Sequence, residues 1–396
     1  MTGQRVSPAP LRPGVGHASR SAAVAIGSLF ATNGLIIGAY AGVLPALRER
    51  YGVDAGAVAA LLVVVGAMAV ASMQVGGRLA DRVGARRITL AALPLMVVGA
   101  LVMAWAPSYP FAVLGGALIG LGNGANDVSM NAIGVVLEQA RRSPVMSRFH
   151  AFWSVGSFLG AGVVLLTSRL VADTKGAIVA PALIAVAVVG GLALAVTTRW
   201  VPVTSPVPEA VSGESRPIPP IAWLLGGMAV CFGLMEGSAF DWSSIHVTDV
   251  AGVDPGLGAS GLVTVTVFMV GLRLVGDAAV TRFGHRVVVR GGSLVAAVGF
   301  AVTVVATALP VILVGWALVG AGVAMIAPQI YAAAGHLGGA RMLAVVVTFG
   351  YAAFLSGPAI VGWLVHTVGV RHAMALPLVL SGVLVVVSRW MPSVRS

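Results

Sequence analysis

Three carboxylates, Asp127, Glu236 and Asp241, stand inside long apolar stretches of the sequence. Removal from water disfavours a carboxylate's charge. An acid so placed can carry a proton in one state and release it in another. Asp127 belongs to a polar group with Asn126 and Asn131, and residues 127 and 131 share a helix face. The alternative for each acid is a satisfied buried group holding helices together. For Asp241, beside Trp242, an aromatic interface anchor is a further alternative. Arg273 and Asp277 are i and i+4, the spacing of a structural ion pair. Alternatively Arg273 binds an anionic solute or pairs with Glu236. His150 follows Arg148 and precedes Phe152 and Trp153. Imidazole titrates near neutrality and can relay protons, and an aromatic ring can stack on a sugar; packing is the alternative for both.

The elements that must position these groups follow from composition. The chain has 396 residues, 58% hydrophobic and 9% charged. Soluble domains carry roughly a quarter charged residues, so lipid is the solvent for most of this chain. Apolar runs of about 20 residues recur throughout, each able to cross a ~30 Å hydrocarbon core. They predict twelve helices, near 22–45, 56–76, 87–106, 110–137, 148–168, 178–200, 221–245, 259–281, 287–307, 310–334, 343–365 and 372–391. The 52 glycines lie among Val, Leu and Ala, which reads as close helix packing. Of the 24 Lys+Arg, Arg48, Arg50, Arg169, Lys175 and Arg371 fall on one side of this model, Arg273 lies within a helix, and all others fall on the opposite side. The positive-inside rule makes that richer side cytoplasmic, with both termini. The same distribution argues against nucleic-acid binding despite a net charge of +11. The first apolar run is read as a retained helix, and the one cysteine, Cys231, excludes an internal disulfide.

An internal repeat appears at an offset of 200 residues. PFAVLGGALIGLG (110–122) aligns with PVILVGWALVGAG (310–322), RVGAR (82–86) with RFGHR (282–286), and Gly99 with Gly299. Helices 2, 3 and 4 thereby map onto 8, 9 and 10 in unchanged orientation, a parallel six-helix repeat. The predicted organisation is an N-terminal tail (1–21), one six-helix bundle (22–200), a Pro/Ser-rich cytoplasmic linker (201–220), a second bundle (221–391) and a short C-terminal tail (392–396). The fold class is an all-α membrane protein of twelve transmembrane helices in two pseudo-symmetric bundles.

Charge is concentrated in GGRLADRVGARR, residues 76–87. Gly76 and Gly77 end helix 2 without side chains, so another helix can come close. Asp81 can accept N–H groups from a helix N-terminus, and Arg82, Arg86 and Arg87 are donors on the cytoplasmic face. The second copy, GDAAVTRFGHR (276–286), has Thr281 where the first has Asp81. With two six-helix halves, this loop between helices 2 and 3 resembles the signature of the major facilitator superfamily; Ala85 stands where that family usually has a basic residue. The resemblance implies a gating clasp on helix 11 when the cytoplasmic side closes. Gly77, Asp81, Arg82 and Arg86 would form it, with Arg148 and Arg341 as further members. Simple topological anchoring by arginine is the alternative.

A narrower likeness lies in GNGANDVSMNAIGVVLEQ (122–139), SRFHAFWSVGSFLGA (147–161) and MEGSAFDWSS (235–244), which are similar to a bacterial branch near the fucose permease. In the superfamily, helices 1, 4, 7 and 10 line a central cavity. That implies Asn33, Asn126, Asp127, Asn131, Glu236, Gln329 and Tyr331 as substrate-binding candidates, with Trp153 from helix 5. Asp127, Glu236 and Asp241 are the proton-coupling candidates. No phosphate-binding loop or nucleophile set is visible, so the chain is not read as an enzyme and no cofactor is expected. His246, His336, His366 and His372 lack metal-ligand spacing. The reading is a monomeric secondary transporter of a small organic solute, sugar-like by the narrower likeness, in the bacterial inner membrane. It would work by alternating access and proton coupling, with solute, protons and lipid as partners. Proton-driven export of drugs or metabolites, and a non-transporting sensor on the same scaffold, are the alternatives.

Overall fold

The computed structural model describes residues 15–141, 145–171, 176–203 and 219–392. Residues 1–14 of the predicted N-terminal tail, residues 393–396 of the predicted C-terminal tail and most of the linker (204–218) lie outside the described residues.

Among the described residues, twelve long helices build the molecule. In the first half they are α1 (Val15–Tyr51), α2 (Ala55–Val83), α3 (Ala85–Ala104), α4 (Tyr109–Arg141), α5 (Met146–Leu170) and α6 (Val179–Thr197). In the second they are α7 (Pro220–Ala251), α8 (Ser260–Phe283), α9 (His285–Val305), α10 (Leu309–Val323), α11 (Ile326–Ala373) and α12 (Ala375–Val387). A single helical turn, Pro255–Gly258, leads into α8. Among the described residues, ten helical segments are long and apolar enough to cross a membrane. Of the other two, α4 carries Asn123, Asn126, Asp127 and Asn131, and Ala375–Trp390 is a shorter apolar helix.

Several boundaries differ from the sequence reading, most of them because helices run past their apolar stretches, as α2 does to Val83 and α7 to Ala251. The first helix begins at Val15 rather than near residue 22, because the polar segment before the apolar run is compatible with helix and hydropathy sees only the run. The tenth predicted helix breaks at Ala324–Met325 and resumes at Ile326. Pro328 is the reason: it has no N–H to give the Ala324 carbonyl four residues back. The 48-residue α11 must fold back on itself. A Cβ on Gly350 would meet the Tyr331 hydroxyl at 2.5 Å, whereas 19 residues of straight helix would separate them by roughly 28 Å. The tenth and eleventh spans thus run antiparallel.

The repeat holds in three dimensions. A Cβ on Gly120 would lie 2.3 Å from the Val65 carbonyl oxygen, and one on Gly320 would lie 2.2 Å from that of Val265. Gly84 and Gly284 take positive φ, at 91° and 78°, in the tight turns α2–α3 and α8–α9, where a side chain would be strained. Asp54 and Asp254 each accept a backbone N–H three residues on, at 2.8 Å, as N-caps do.

Arginines fasten helix ends in both halves, where the last carbonyls need donors. Arg86 donates to the Thr198 carbonyl (3.2 Å) and Arg286 to that of Met391 (2.7 Å), tying α3 and α9 to the ends of α6 and α12. Those ends match in sequence as well, Thr198-Arg199-Trp200 and Ser388-Arg389-Trp390, each with its guanidinium over the indole at 4.1 and 3.8 Å. At the opposite face, Arg50 donates to the Ala104 carbonyl and Arg371 to those of Val304 and Val305. The face holding Gly84 and Gly284 is called the arginine-rich face below, and the face holding Gly52 and Gly252 the far face.

Candidate solute site between the halves

The broken tenth span builds the centre of the site. The Ala324 carbonyl, released by Pro328, accepts a hydrogen bond from Arg273 Nε on α8 at 3.2 Å. This anchors the guanidinium with its other nitrogens turned toward α5 and α7. Nη1 donates to Ser154 Oγ at 2.5 Å, across the boundary between halves. Nη2 lies 3.4 Å from Glu236 Oε1 on α7, forming an ion pair. The two side chains retain 17% and 13% of their exposure, so the pair is deeply but not wholly enclosed. Two opposite charges neutralise one another here, and removing either partner would strand the other in a poorly solvated place.

A second polar chain lies beside it. Trp153 Nε1 donates to Asn33 Oδ1 at 2.8 Å, and Asn33 Nδ2 donates to Asn123 Oδ1 at 3.0 Å, joining α5, α1 and α4. The Trp153 ring meets Phe240 of α7 at 5.5 Å between centroids, again across the halves. Amide, indole and aromatic face together can recognise a hydroxyl-bearing ring.

Asp127 forms the third contact. Its Oδ2 accepts from Tyr351 of α11 at 2.8 Å and its Oδ1 from Asn131 Nδ2 at 3.1 Å. One carboxylate is therefore shared between its own half and the other. Tyr331 stands against Gly350, one on each of the two antiparallel legs of α11.

Several expected residues sit elsewhere. Gln329 is 5% exposed, with its Oε1 2.6 Å from His285 Nδ1 at the start of α9; α11 has turned it toward the arginine-rich face and away from Arg273. Asn126 is fully buried, with its Nδ2 on Met130 Sδ at 3.1 Å, so it packs within the first half. Arg273 pairs with Glu236, one of the alternatives the sequence left open; the side chain of Asp277, its expected i+4 partner, lies outside the described residues. His150 lies edge-on to Phe30 at 5.4 Å. Ser154, Asn123, Phe240 and Tyr351 were missed. Asn123 adjoined a polar group already noticed, but Tyr351 gave no signal, since its partner is 224 residues away.

The halves meet along α1–α7, α2–α11 and α5–α8. At the far face, Arg48 and Asp249 form a bidentate ion pair, and Asp54 faces His366 at 3.9 Å. A Cβ on Gly362 of α11 would lie 2.1 Å from the Ala59 Cβ of α2. In the charged loop Asp81 and Arg82 are exposed, as is Arg148 at the start of α5. No ion pair among the described residues involves Asp81. Arg86 instead serves the helix-end contact within its own half. Gly77 faces Val128 of α4, and the Arg341 side chain lies outside the described residues.

Residues 26–339 match the family model of the Major Facilitator Superfamily. The chain belongs to this superfamily. A member from Sinorhizobium fredii, the uncharacterized transporter y4wD, is 30% identical over 349 residues, covering 86% of this chain and 90% of the relative. Among solved structures, the nucleoside transporter NupG superposes with a TM-score of 0.69 at 14% identity, over 93% of this chain and 98% of that one. The Escherichia coli fucose:proton symporter FucP does so with a TM-score of 0.61 at 15% identity, over 94% and 98%. These two show a shared fold. The chain is thus a multi-pass membrane transport protein and not an enzyme.

Proposed function

We propose that this superfamily member is a proton-coupled secondary transporter of a small, hydroxyl-rich organic solute in the bacterial inner membrane. The observation that carries the reading is the Glu236–Arg273 pair, held from both halves through Ser154 and the Ala324 carbonyl. A buried ion pair within the second half, hydrogen-bonded through Arg273 to Ser154 of the first, responds to both a proton and a solute. Protonation of Glu236 removes its attraction for Arg273 Nη2 and frees that donor for a solute oxygen. The Asn33–Asn123–Trp153 chain and the Phe240 ring supply amide donors and a stacking face, which suit a sugar, polyol or nucleoside ribose. Asp127, shared with Tyr351, is the second proton-coupling group.

Alternating access would carry the solute across. The Arg48–Asp249 pair and the α2–α11 contact support a conformation sealed at the far face. By the positive-inside rule the arginine-rich face is cytoplasmic, so the solute site opens inward in this state. Closure of that face would bring Asp81 to the second half as the latch.

Proteoliposomes with an imposed pH gradient test the reading, with fucose, inositol and uridine as probes and Glu236→Gln and Asp127→Asn beside the wild type. The expected result is gradient-driven accumulation of at least one probe, lost in Glu236→Gln while exchange of that probe at equilibrium persists. Proton-coupled flux unaltered by either substitution would overturn the assignment.

A further inference from the structure

The last turns of α6 and α12 repeat a motif that the solute site leaves unused. Thr198-Arg199-Trp200-Val201-Pro202 follows α6, and Ser388-Arg389-Trp390-Met391-Pro392 follows α12. The helices before them share no such likeness, reading VAPALIAVAVVGGLALAVT and ALPLVLSGVLVVV. Most of each motif serves its own half. The Thr198 and Ser388 hydroxyls donate back to the Leu194 and Val385 carbonyls. Val201 and Met391 are buried, and their N–H groups close each turn on the Thr198 and Ser388 carbonyls. Arg86 and Arg286 fasten the turns to α3 and α9.

The exposed pair in the middle of each motif does not. Arg199 lies over the Trp200 indole and Arg389 over the Trp390 indole. Among the described residues neither guanidinium makes a hydrogen bond or an ion pair. Each keeps all its N–H donors, held in place by the ring beneath. Topology alone asks only for positive charge, which a lysine would supply as well. The surface leading to each pair shows what the donors meet. Val189, Leu192 and Val196 form an exposed row on α6 that runs to Trp200; Val379, Val383 and Val386 form one on α12 that runs to Trp390. Spacings of three and four keep each row on one helix face. The rows cover residues 189–200 and 379–390, roughly 16 Å of helix each, about one leaflet of a ~30 Å hydrocarbon core. An acyl chain can lie along such a row, with the indole at headgroup depth and the guanidinium facing the phosphate. Arginine pairs with phosphate through two parallel N–H bonds. A free phosphate would use the guanidinium and leave the row idle, so the rows favour a lipid.

We propose that the two Arg-Trp turns are a matched pair of binding sites for anionic phospholipid, one headgroup at the end of each half on the arginine-rich face. The phosphodiester takes the stacked guanidinium and the acyl chain takes the row of valines and leucine below it. Arg86 or Arg286, fastened to the same turn, adds positive charge and so disfavours a headgroup that carries its own cation.

Native mass spectrometry of the full chain, released from vesicles of equal phosphatidylglycerol and phosphatidylcholine, tests this. Wild type should retain two phosphatidylglycerol molecules, and millimolar inorganic phosphate should displace neither. Arg199→Lys and Arg389→Lys should each retain one, and the double variant none, because an ammonium keeps the charge but forms no planar stack and no paired N–H bonds. Arg20→Gln, which removes an exposed charge at the start of α1 on the same face, should keep both. The lysine variants should unfold at the wild-type temperature in phosphatidylcholine alone, since neither arginine bonds another described residue. Two lipids kept by the double lysine variant, equal retention of the two phospholipids by wild type, or displacement by inorganic phosphate overturns the proposal.

Discussion

The contact between Gly362 and Ala59 gives a prediction whose sign runs against ordinary helix energetics. In an exposed helix, Gly→Ala stabilises by about 1 kcal/mol. At Gly362 the added methyl would lie 2.1 Å from the Ala59 Cβ, where ordinary contact begins at 3.4 Å, and neither atom ends a flexible side chain. The helices must part by more than an ångström, and overpacking of this kind costs roughly 1–3 kcal/mol. That cost falls only on the conformation in which α2 and α11 touch. Gly362→Ala should therefore lower the population sealed at the far face about 5- to 150-fold relative to the open one. Spin labels at Pro107 and Thr307, exposed far-face positions in the two halves, read this out as a new, longer distance in a Cys231→Ser background. Ala59→Gly combined with Gly362→Ala moves the methyl across the interface instead of adding one. The pair should restore the original distribution to within about fivefold, a non-additivity that only contacting residues show. An unchanged distance distribution in Gly362→Ala, or a double substitution no better than the single one, would refute the reasoning.

Other expectations are briefer. Glu138 Oε2 accepts the backbone N–H groups of Val145 and Met146 at 2.8 and 3.0 Å, so Glu138→Ala should cost about 1 kcal/mol of stability, and Glu138→Gln less, by thermal unfolding in detergent. Arg273→Gln should destabilise more than the double change with Glu236→Gln, because the single change strands a carboxylate, by about 3–5 kcal/mol; denaturant unfolding of the set decides it. Arg286→Gln should loosen the end of α12 and speed hydrogen exchange near Met391, with little effect around Thr198, where Arg86 does the same work. Asp81→Ala should raise cysteine accessibility on the arginine-rich face more than Thr281→Ala does; equal effects would remove the asymmetry between the loop copies.

Much of the architecture was legible because lipid imposes a simple rule. Every backbone group must be satisfied within its own helix, so long apolar runs become spans, and their number and the 200-residue repeat could be read directly. In the charged loop, Gly84 makes the tight turn and Arg86 meets the helix end at Thr198, a contact across 112 residues that the local pattern did not name. Helix ends were read less well. Hydropathy could not see that α1 starts at Val15, nor that α11 runs through its own turn.

Which polar residues matter was legible only in part. Asp127, Glu236, Trp153 and Asn33 stood out because a polar group in an apolar run is rare and costly. Their partners did not. For Arg273, spacing put Asp277, four residues away, first and left Glu236 as an alternative, because sequence records neighbours along one helix and not the packing of two. The ion pair with Glu236 needed the break at Pro328, which frees a carbonyl to hold the guanidinium, and the packing of α5, α7 and α8 around it. Tyr351 with Asp127 and Arg48 with Asp249 join residues some 200 positions apart. The sequence by itself determined the medium, the spans, the repeat and which side chains are too costly to be idle. Which of them meet was decided only when two bundles packed face to face, because each contact joins helices whose relative rotation no local pattern records.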